Sequence, residues 1–164
     1  MKTFIAFALA AVGLAQTQAE KEAYPDYTAQ FAKHGITWET LKVKTEDGYT
    51  MTVWHLTGDA YGPWTVTRNS VLFQHGMGGS ALAWTSAMFD GNPMAYQLGA
   101  MGFDVWLANN SGAQYSQEHD KYTVADKEFW AMDWSKFGVY DFPAVVGEIR
   151  KRNGDKKVGM VGHS

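Results

Sequence analysis

The sequence predicts an α/β fold in which an antiparallel hairpin precedes parallel strands with flanking helices. Residues 38–45 and 49–57 each alternate apolar and polar side chains around Glu46-Asp47-Gly48, and Asp-Gly between two alternating runs is a strong hairpin signal. Further along, short continuous apolar runs alternate with helical segments, as in a parallel sheet that is covered on both faces. The chain is 164 residues long, about one domain.

Composition narrows the class of protein. A hydrophobic fraction of 46% with 19% charged residues is typical of a globular chain and excludes intrinsic disorder. The net charge of −3 offers no cationic stripe, so nucleic acid is not expected as a partner. The absence of Cys excludes a disulfide framework, a thiol nucleophile and a cysteine-ligated zinc site. The aromatic fraction of 15% indicates a dense core or an apolar binding surface.

The first residues have the pattern of a secretory signal. Lys2 precedes an apolar run over residues 4–14, too short to span a bilayer, and Thr17-Gln18-Ala19 offers a cleavage site before Glu20. Gly13-Leu14-Ala15 is a second possible site, and a buried N-terminal helix is the alternative interpretation. We therefore expect residues 1–19 to be a signal peptide and residues 20–164 to be the N-terminal part of one domain, in the secretory pathway and without a transmembrane segment.

The other elements follow from turn and periodicity signals. Residues 20–36 are polar and lack a period, so they predict an irregular lead-in. The remaining predictions, in chain order, are a loop over 58–69, a strand at 71–73, a Gly-rich loop at 75–79, a helix capped by Asn92-Pro93 and ended by Gly102, a strand at 103–107, a polar loop over 108–121, helices over 126–136 and 141–152, and a strand at 158–161. This last strand would be a sheet edge that further strands should cover, so more sequence is expected after it.

The chemistry is expected where parallel strands end, because ligands of such sheets bind beyond the carboxyl ends of the strands. Gly162-His163-Ser164 directly follows the last strand and is the first half of Gly-x-Ser-x-Gly, the nucleophile elbow of α/β-hydrolases. A sharp turn there would expose the hydroxyl of Ser164 as a nucleophile. Gly78-Gly79-Ser80 also reads Gly-x-Ser, but Leu82 stands where the closing glycine would be.

The loop after the first buried strand supplies the second component. An oxyanion hole takes one backbone N–H from such an upstream loop, and His75-Gly76 would turn the chain so that the amide of Met77 points into the cavity. Without Ser164 the same loop would indicate only a tight turn. His75 precedes the nucleophile at a strand end, so we expect a structural role for it rather than that of the catalytic base.

The rest of a catalytic triad is not expected within this chain. In this fold the acid and the histidine follow the serine, and the sequence ends at Ser164. Asp104, Asp133 and Asp141 precede it and are predicted to be caps or surface charges. We therefore predict that the 164-residue chain by itself hydrolyses little substrate. The histidines do not have metal-ligand spacing, so no metal site and no cofactor are predicted.

Taken together, these motifs resemble the acid lipases of gastric and lysosomal type, from about residue 37 to residue 164. The resemblance is carried by TEDGY at 45–49, QHG at 74–76 with Trp84 nine residues after the histidine, GFDVWLAN at 102–109, FW at 129–130, YDFPA at 140–144 and VGHS at 161–164. It implies an α/β-hydrolase that cleaves neutral lipid esters, such as triacylglycerols or sterol esters, at a lipid–water interface through an acyl-enzyme. It also implies Ser164 as nucleophile, Met77 as oxyanion amide, no cofactor, and an aspartate, a histidine and a lid beyond residue 164.

One position departs from the family pattern. Ser111 stands where the family has arginine in Asn-x-Arg-Gly, which removes a cation from the loop after the strand. The change creates the glycosylation triplet Asn109-Asn110-Ser111, although a strand end beside the pocket is a poor place for a glycan. Two alternatives stay open: the same fold acting as a serine peptidase or thioesterase, and a non-catalytic secreted relative that binds lipid or a partner.

Overall fold

The computed structural model describes residues 25–86 and 92–164, and the predicted signal peptide at 1–19 lies outside them. The described elements are, in chain order, α1 (Pro25–Lys33), β1 (Thr37–Lys44), β2 (Tyr49–Asp59), β3 (Gly62–Pro63), β4 (Ser70–Gln74), a 3₁₀ turn (Ala81–Trp84), α2 (Met94–Ala100), β5 (Asp104–Ala108), β6 (Glu118–His119), a 3₁₀ turn (Lys127–Trp130), α3 (Trp134–Lys136), a π-helical turn (Phe137–Asp141), α4 (Phe142–Asn153) and β7 (Val158–Gly162).

The strands form one mixed sheet in the order β1-β2-β5-β4-β7, with β3 and β6 also paired to β2. The β1–β2 hairpin is antiparallel, as is the β2–β5 pair, whereas β5, β4 and β7 run parallel to one another. At the hairpin turn, Gly48 has φ +101, a backbone conformation that glycine adopts without strain. The predicted α/β class, with a hairpin followed by parallel strands, is confirmed.

The sheet buries side chains on both faces, which explains the continuous apolar runs of its central strands. Along β4, Val71 and Phe73 pack in a cluster with α1 and α2, whereas Leu72 packs in a cluster with Ile149 of α4. Many of the aromatic side chains belong to the first cluster. Its aromatic members are Tyr27, Phe31, Trp38, Trp54, Phe73, Tyr96 and Tyr115.

The predicted irregular lead-in is wrong for α1. Tyr27 and Phe31 lie four residues apart on one face of this helix and are almost fully buried against the sheet. Pro25 begins the helix, and Gly35, at φ +66, follows its end. The average composition of this helix is polar, but burial of each large ring contributes roughly 1.5–3 kcal/mol to its stability. The four-residue spacing of the two aromatic residues is the pattern from which this helix could have been predicted.

The single helix predicted over 126–136 is also wrong. A 3₁₀ turn ends at Trp130, and a new helical start follows at Asp133, whose Oδ1 accepts hydrogen bonds from the backbone N–H of Ser135 (2.9 Å) and of Lys136 (3.2 Å). Asp133 is therefore a helix cap, as predicted. The chain then passes through a π-helical turn into α4, where Gly154 at φ +76 ends the helix.

Several boundaries differ in smaller ways. Pro93, not Asn92, occupies the cap position of α2, and no side chain caps that end. The predicted loop over 58–69 includes the end of β2 and the short β3. The predicted loop over 108–121 includes the last residue of β5 and the short strand β6. No helix among the described residues has the length and apolar character needed to cross a membrane.

Asp104 is not the cap or surface charge that was predicted. It is buried at the start of β5 and accepts hydrogen bonds from Ser70 Oγ (2.5 Å) and Trp106 Nε1 (2.7 Å), while His55 Nε2 lies 2.7 Å away. Burial by itself would raise the pKa of this carboxyl, but these hydrogen bonds outweigh burial and the pKa is lowered. Because Asp104 lies at the amino end of its strand, it is at the opposite edge of the sheet from Ser164.

We expect Gly99→Ala to lower the free energy of unfolding by about 1–3 kcal/mol, although alanine is the better helix former. A Cβ on Gly99 of α2 would lie 1.8 Å from the ring of Trp64, whose indole is held by Asp59 at 2.9 Å. Gly147→Ala in α4 is the matched control, because a Cβ there meets nothing within 4 Å and should stabilise by about 0.5–1 kcal/mol. Urea unfolding measures both, and equal effects of the two variants would contradict the prediction.

Candidate active site

Three loops meet at the carboxyl edge of the parallel strands, namely those that follow β4, β5 and β7. Gln74 pairs with Ala108 of β5 on one side and with Gly162 of β7 on the other. One residue further, the backbone N–H of His163 donates to the carbonyl of Gln74 at 3.1 Å. This register brings the loop that follows β4 directly against the turn that contains Ser164.

Ser164 is exposed and has φ +71, the left-handed region that side-chain-bearing residues seldom occupy. Such strain is the property of a nucleophile elbow, in which a sharp turn lifts the hydroxyl clear of the sheet. Gly76 faces this turn so closely that a Cβ on it would lie 2.9 Å from both the Cβ of Ser164 and the carbonyl oxygen of His163. The contact therefore requires glycine at position 76.

Met77 follows this glycine and lies in the same cleft as Ser164. Its side chain is exposed, and within the described part of the chain its backbone N–H donates no hydrogen bond. The loop turns back at Gly78, which has φ +71, and the N–H of Gly79 donates to the carbonyl of Gly76 at 3.1 Å. The predicted nucleophile and the predicted oxyanion donor thus line one cleft of about 310 Å³.

The imidazole of His75 is buried and joins two of the loops. The N–H of Asn110 donates to its Nε2 at 3.1 Å, so Nε2 is an acceptor and the ring proton is on Nδ1, which lies 2.8 Å from the carbonyl oxygen of Gly76. Burial lowers the pKa of His75 and keeps the ring neutral. These contacts agree with the structural role expected for it.

Asn109 and Asn110 fix the loop that follows β5. Asn109 is fully buried, accepts a hydrogen bond from the N–H of Ala81 (2.9 Å) and donates to the carbonyl of Thr52 (3.1 Å). This side chain has no room for a glycan, in line with the poor position expected for the glycosylation triplet. Asn110 accepts from the side-chain amide of Gln74 at 2.6 Å.

Asp141 is a buried carboxyl, which corrects the prediction of a cap or surface charge. Ser111 donates to it twice, from its backbone N–H at 2.8 Å and from its hydroxyl at 2.7 Å. Burial raises the pKa of Asp141 to about 6, and the two hydrogen bonds only partly oppose this shift. The folded state therefore binds this proton more tightly than the unfolded chain, and ionisation of Asp141 between about pH 4 and 6 costs stability.

The surface around the cleft is apolar. Trp134, Phe137, Phe142 and Met160 line it beside Ser164, and a neighbouring cleft of about 540 Å³ adds Trp130 and Met132. Sequence analysis missed this lining because the residues come from α3, the π-helical turn, α4 and β7, and only the tertiary structure brings them together. Chemically, one mainly apolar cleft holds an exposed hydroxyl and a backbone amide that donates no hydrogen bond among the described residues, and this combination suits attack on a carbonyl.

No group of three or more His, Asp or Glu side chains within residues 25–86 and 92–164 could hold a metal ion. His75 and His163 are the histidines that line the cleft. Both ring nitrogens of His75 already have hydrogen-bond partners, Nδ1 with the carbonyl of Gly76 and Nε2 with the N–H of Asn110.

Comparison with known proteins agrees with this geometry. A family model described as partial α/β-hydrolase lipase region matches residues 28–88, and one described as α/β hydrolase fold matches residues 69–164. Gastric triacylglycerol lipase of Bos taurus is 35% identical over 144 residues, 87% of this chain and 36% of that protein. Lipase member M of Homo sapiens is 33% identical over 146 residues, 88% of this chain and 34% of that protein.

A putative lysosomal acid lipase/cholesteryl ester hydrolase of Crotalus adamanteus is 33% identical over 131 residues, 79% of this chain and 32% of that protein. The chain thus spans about a third of the length of these curated relatives. Among solved structures, an esterase of Pyrococcus furiosus matches with a TM-score of 0.53 at 17% identity, over 80% of this chain and 43% of that one, and so shares its fold. The chain belongs to the α/β-hydrolase family, and its resemblance to the gastric and lysosomal acid lipases is confirmed.

Proposed function

We propose that this chain is the N-terminal part of a serine ester hydrolase of neutral lipids that enters the secretory pathway and acts outside the cell or in the lysosome. The observation that carries the proposal is the exposed Ser164 at φ +71, packed against Gly76 and sharing a cleft with Met77. The lipase relatives support the same class of reaction. Residues 1–19 would be the signal peptide that directs the chain into this pathway.

In the proposed reaction, Oγ of Ser164 attacks the carbonyl carbon of the ester and loses its proton to a general base. The N–H of Met77 donates to the carbonyl oxygen as this becomes an oxyanion. Collapse of the intermediate breaks the bond to the alcohol, which leaves with a proton returned by the base. Water then attacks the acyl-enzyme by the same route and releases the acid. The base and its orienting carboxylate would follow residue 164.

The substrate class rests on the cleft and on the relatives. Trp134, Phe137 and Phe142 provide an apolar wall for an acyl chain, and an apolar mouth suits a lipid–water interface. The similar proteins include a triacylglycerol lipase and a cholesteryl ester hydrolase by name. No cofactor takes part in the proposed reaction.

Labelling with a fluorophosphonate tests the proposal, because this reagent modifies only activated serines. We expect the product of the complete open reading frame to be labelled at Ser164, and the 164-residue chain alone to remain unlabelled for lack of the base. Ester hydrolysis should then exceed peptide and thioester hydrolysis in a substrate panel.

Three results would contradict the proposal. An unlabelled complete protein would favour a non-catalytic lipid- or partner-binding relative, as would a stop codon directly after Ser164 in the transcript. Faster cleavage of peptides would favour a peptidase. Labelling of the short chain would contradict the prediction that the chain is inactive by itself.

A further inference from the structure

We propose that Asp141 is a positioning residue: through Ser111, Asn110 and His75 it orients the Gly76–Met77 peptide that faces Ser164. The inference rests on the proposed function, because the peptide matters only if its N–H binds an oxyanion. Asp141 does not line the cleft that holds Ser164 and Met77. It would act through three successive hydrogen-bonded steps.

The first step joins the start of α4 to the loop after β5. Asp141 is almost fully buried and accepts both the N–H and the hydroxyl of Ser111. Across the described residues no Lys, Arg or His forms an ion pair with it, and the charge that acts on it is the like charge of Asp47. Two charge-assisted hydrogen bonds from one residue therefore hold both the carboxyl and the backbone of the loop in place.

The second step runs along the loop to His75. Asn110 precedes Ser111, and its N–H donates to Nε2 of His75 at 3.1 Å. On its other side, the side-chain oxygen of Asn110 accepts from Gln74 at 2.6 Å. Movement of Ser111 would displace the neighbouring amide of Asn110 and with it the acceptor bond that selects the tautomer of His75.

The third step uses the planarity of the peptide bond. With Nε2 accepting, Nδ1 carries the proton and holds the carbonyl of Gly76 at 2.8 Å. The C=O of Gly76 and the N–H of Met77 belong to one trans peptide and point in opposite directions. Holding the carbonyl toward His75 therefore directs the N–H of Met77 away from that ring, on the side of the loop left for substrate.

The test compares Asp141→Ala, Asp141→Asn and Ser111→Ala in the complete protein. NMR of ¹⁵N-labelled histidine reports the His75 tautomer without any need for activity. We expect a single Nδ1–H tautomer in the wild type, a mixture in Asp141→Ala and Ser111→Ala, and the wild-type signal in Asp141→Asn. The asparagine oxygen can still accept from the N–H of Ser111, and its amide can donate to the hydroxyl, so this variant separates geometry from charge.

Kinetics supply the second readout. With a short-chain ester, Asp141→Ala should lower kcat by about tenfold or more and leave KM within about twofold, because oxyanion contacts act on the transition state. Asp126→Ala is the matched control: Asp126 also accepts the N–H and the hydroxyl of one residue, Thr123, but in an exposed turn, and this variant should change neither readout.

A folded Asp141→Ala protein with the wild-type His75 tautomer would overturn the proposal. If that variant fails to fold, Ser111→Ala, which removes a single hydroxyl, decides by the same signal. Absence of hydrolysis and of fluorophosphonate labelling in the wild type would defeat the proposed function instead, and the tautomer measurement would still report on the hydrogen-bonded steps.

Discussion

Ser164→Ala should lower kcat/KM for ester hydrolysis by about 10⁴-fold or more in the complete protein, because the variant retains substrate binding and the oxyanion donor but has no nucleophile. Stability should hardly change. Ser164 is exposed, and alanine meets the same backbone strain at φ +71 as serine does.

Hydrolysis of a chromogenic ester, with urea unfolding in parallel, measures both quantities. Ser86→Ala is a suitable control, because Ser86 is exposed and its hydroxyl makes only a local bond to the carbonyl of Ala83 at 3.0 Å. An active Ser164→Ala protein, or equal losses in the two variants, would remove Ser164 from the mechanism.

Gly76→Ala should lower kcat by about 10²–10³-fold, the effect of losing one oxyanion donor. The added methyl group would meet the carbonyl oxygen of His163 and the Cβ of Ser164 at 2.9 Å, and Nδ1 of His163 at 3.0 Å. The first two contacts cannot be relieved by rotating a flexible side chain. The loop must therefore move away from the elbow and take the N–H of Met77 with it.

Steady-state kinetics would show this change as a fall in kcat greater than any rise in KM. Gly147→Ala serves as control, because it adds the same methyl group in open space on α4 at a residue that does not line the cleft. Wild-type kcat in a folded Gly76→Ala protein would mean that the close approach of the two loops has no part in the reaction.

Much of the fold could be predicted because local signals agreed with the tertiary structure. Asp47-Gly48 between two alternating runs led to the β1–β2 hairpin, and the apolar run at Val71 and Phe73 led to a strand buried on both faces. The candidate site followed from the same reasoning. Gly-x-Ser after one strand and His-Gly after another are each weak signals, but together at one sheet edge they indicate a nucleophile and an oxyanion donor.

The two wrong helix predictions have different physical causes. The helix α1 has few large apolar residues, and the burial of Tyr27 and Phe31 against a sheet formed by distant residues stabilises it. Between Lys127 and Asp141, a 3₁₀ turn, the short helix α3 and a π-helical turn follow one another. Asp133 caps the start of α3, and average helix propensity does not detect such a cap.

By itself, the sequence predicted the longer strands β1, β2, β4, β5 and β7, the class of fold and the two residues placed at the candidate site. Those predictions rest on local patterns of residue types, and the spacing within such patterns can be read directly from the sequence. Only the tertiary structure decided that Asp104 and Asp141 are buried and that Ser111 donates two hydrogen bonds to Asp141. Burial depends on which segments cover a side chain, and here those segments are 30 or more residues apart in the chain.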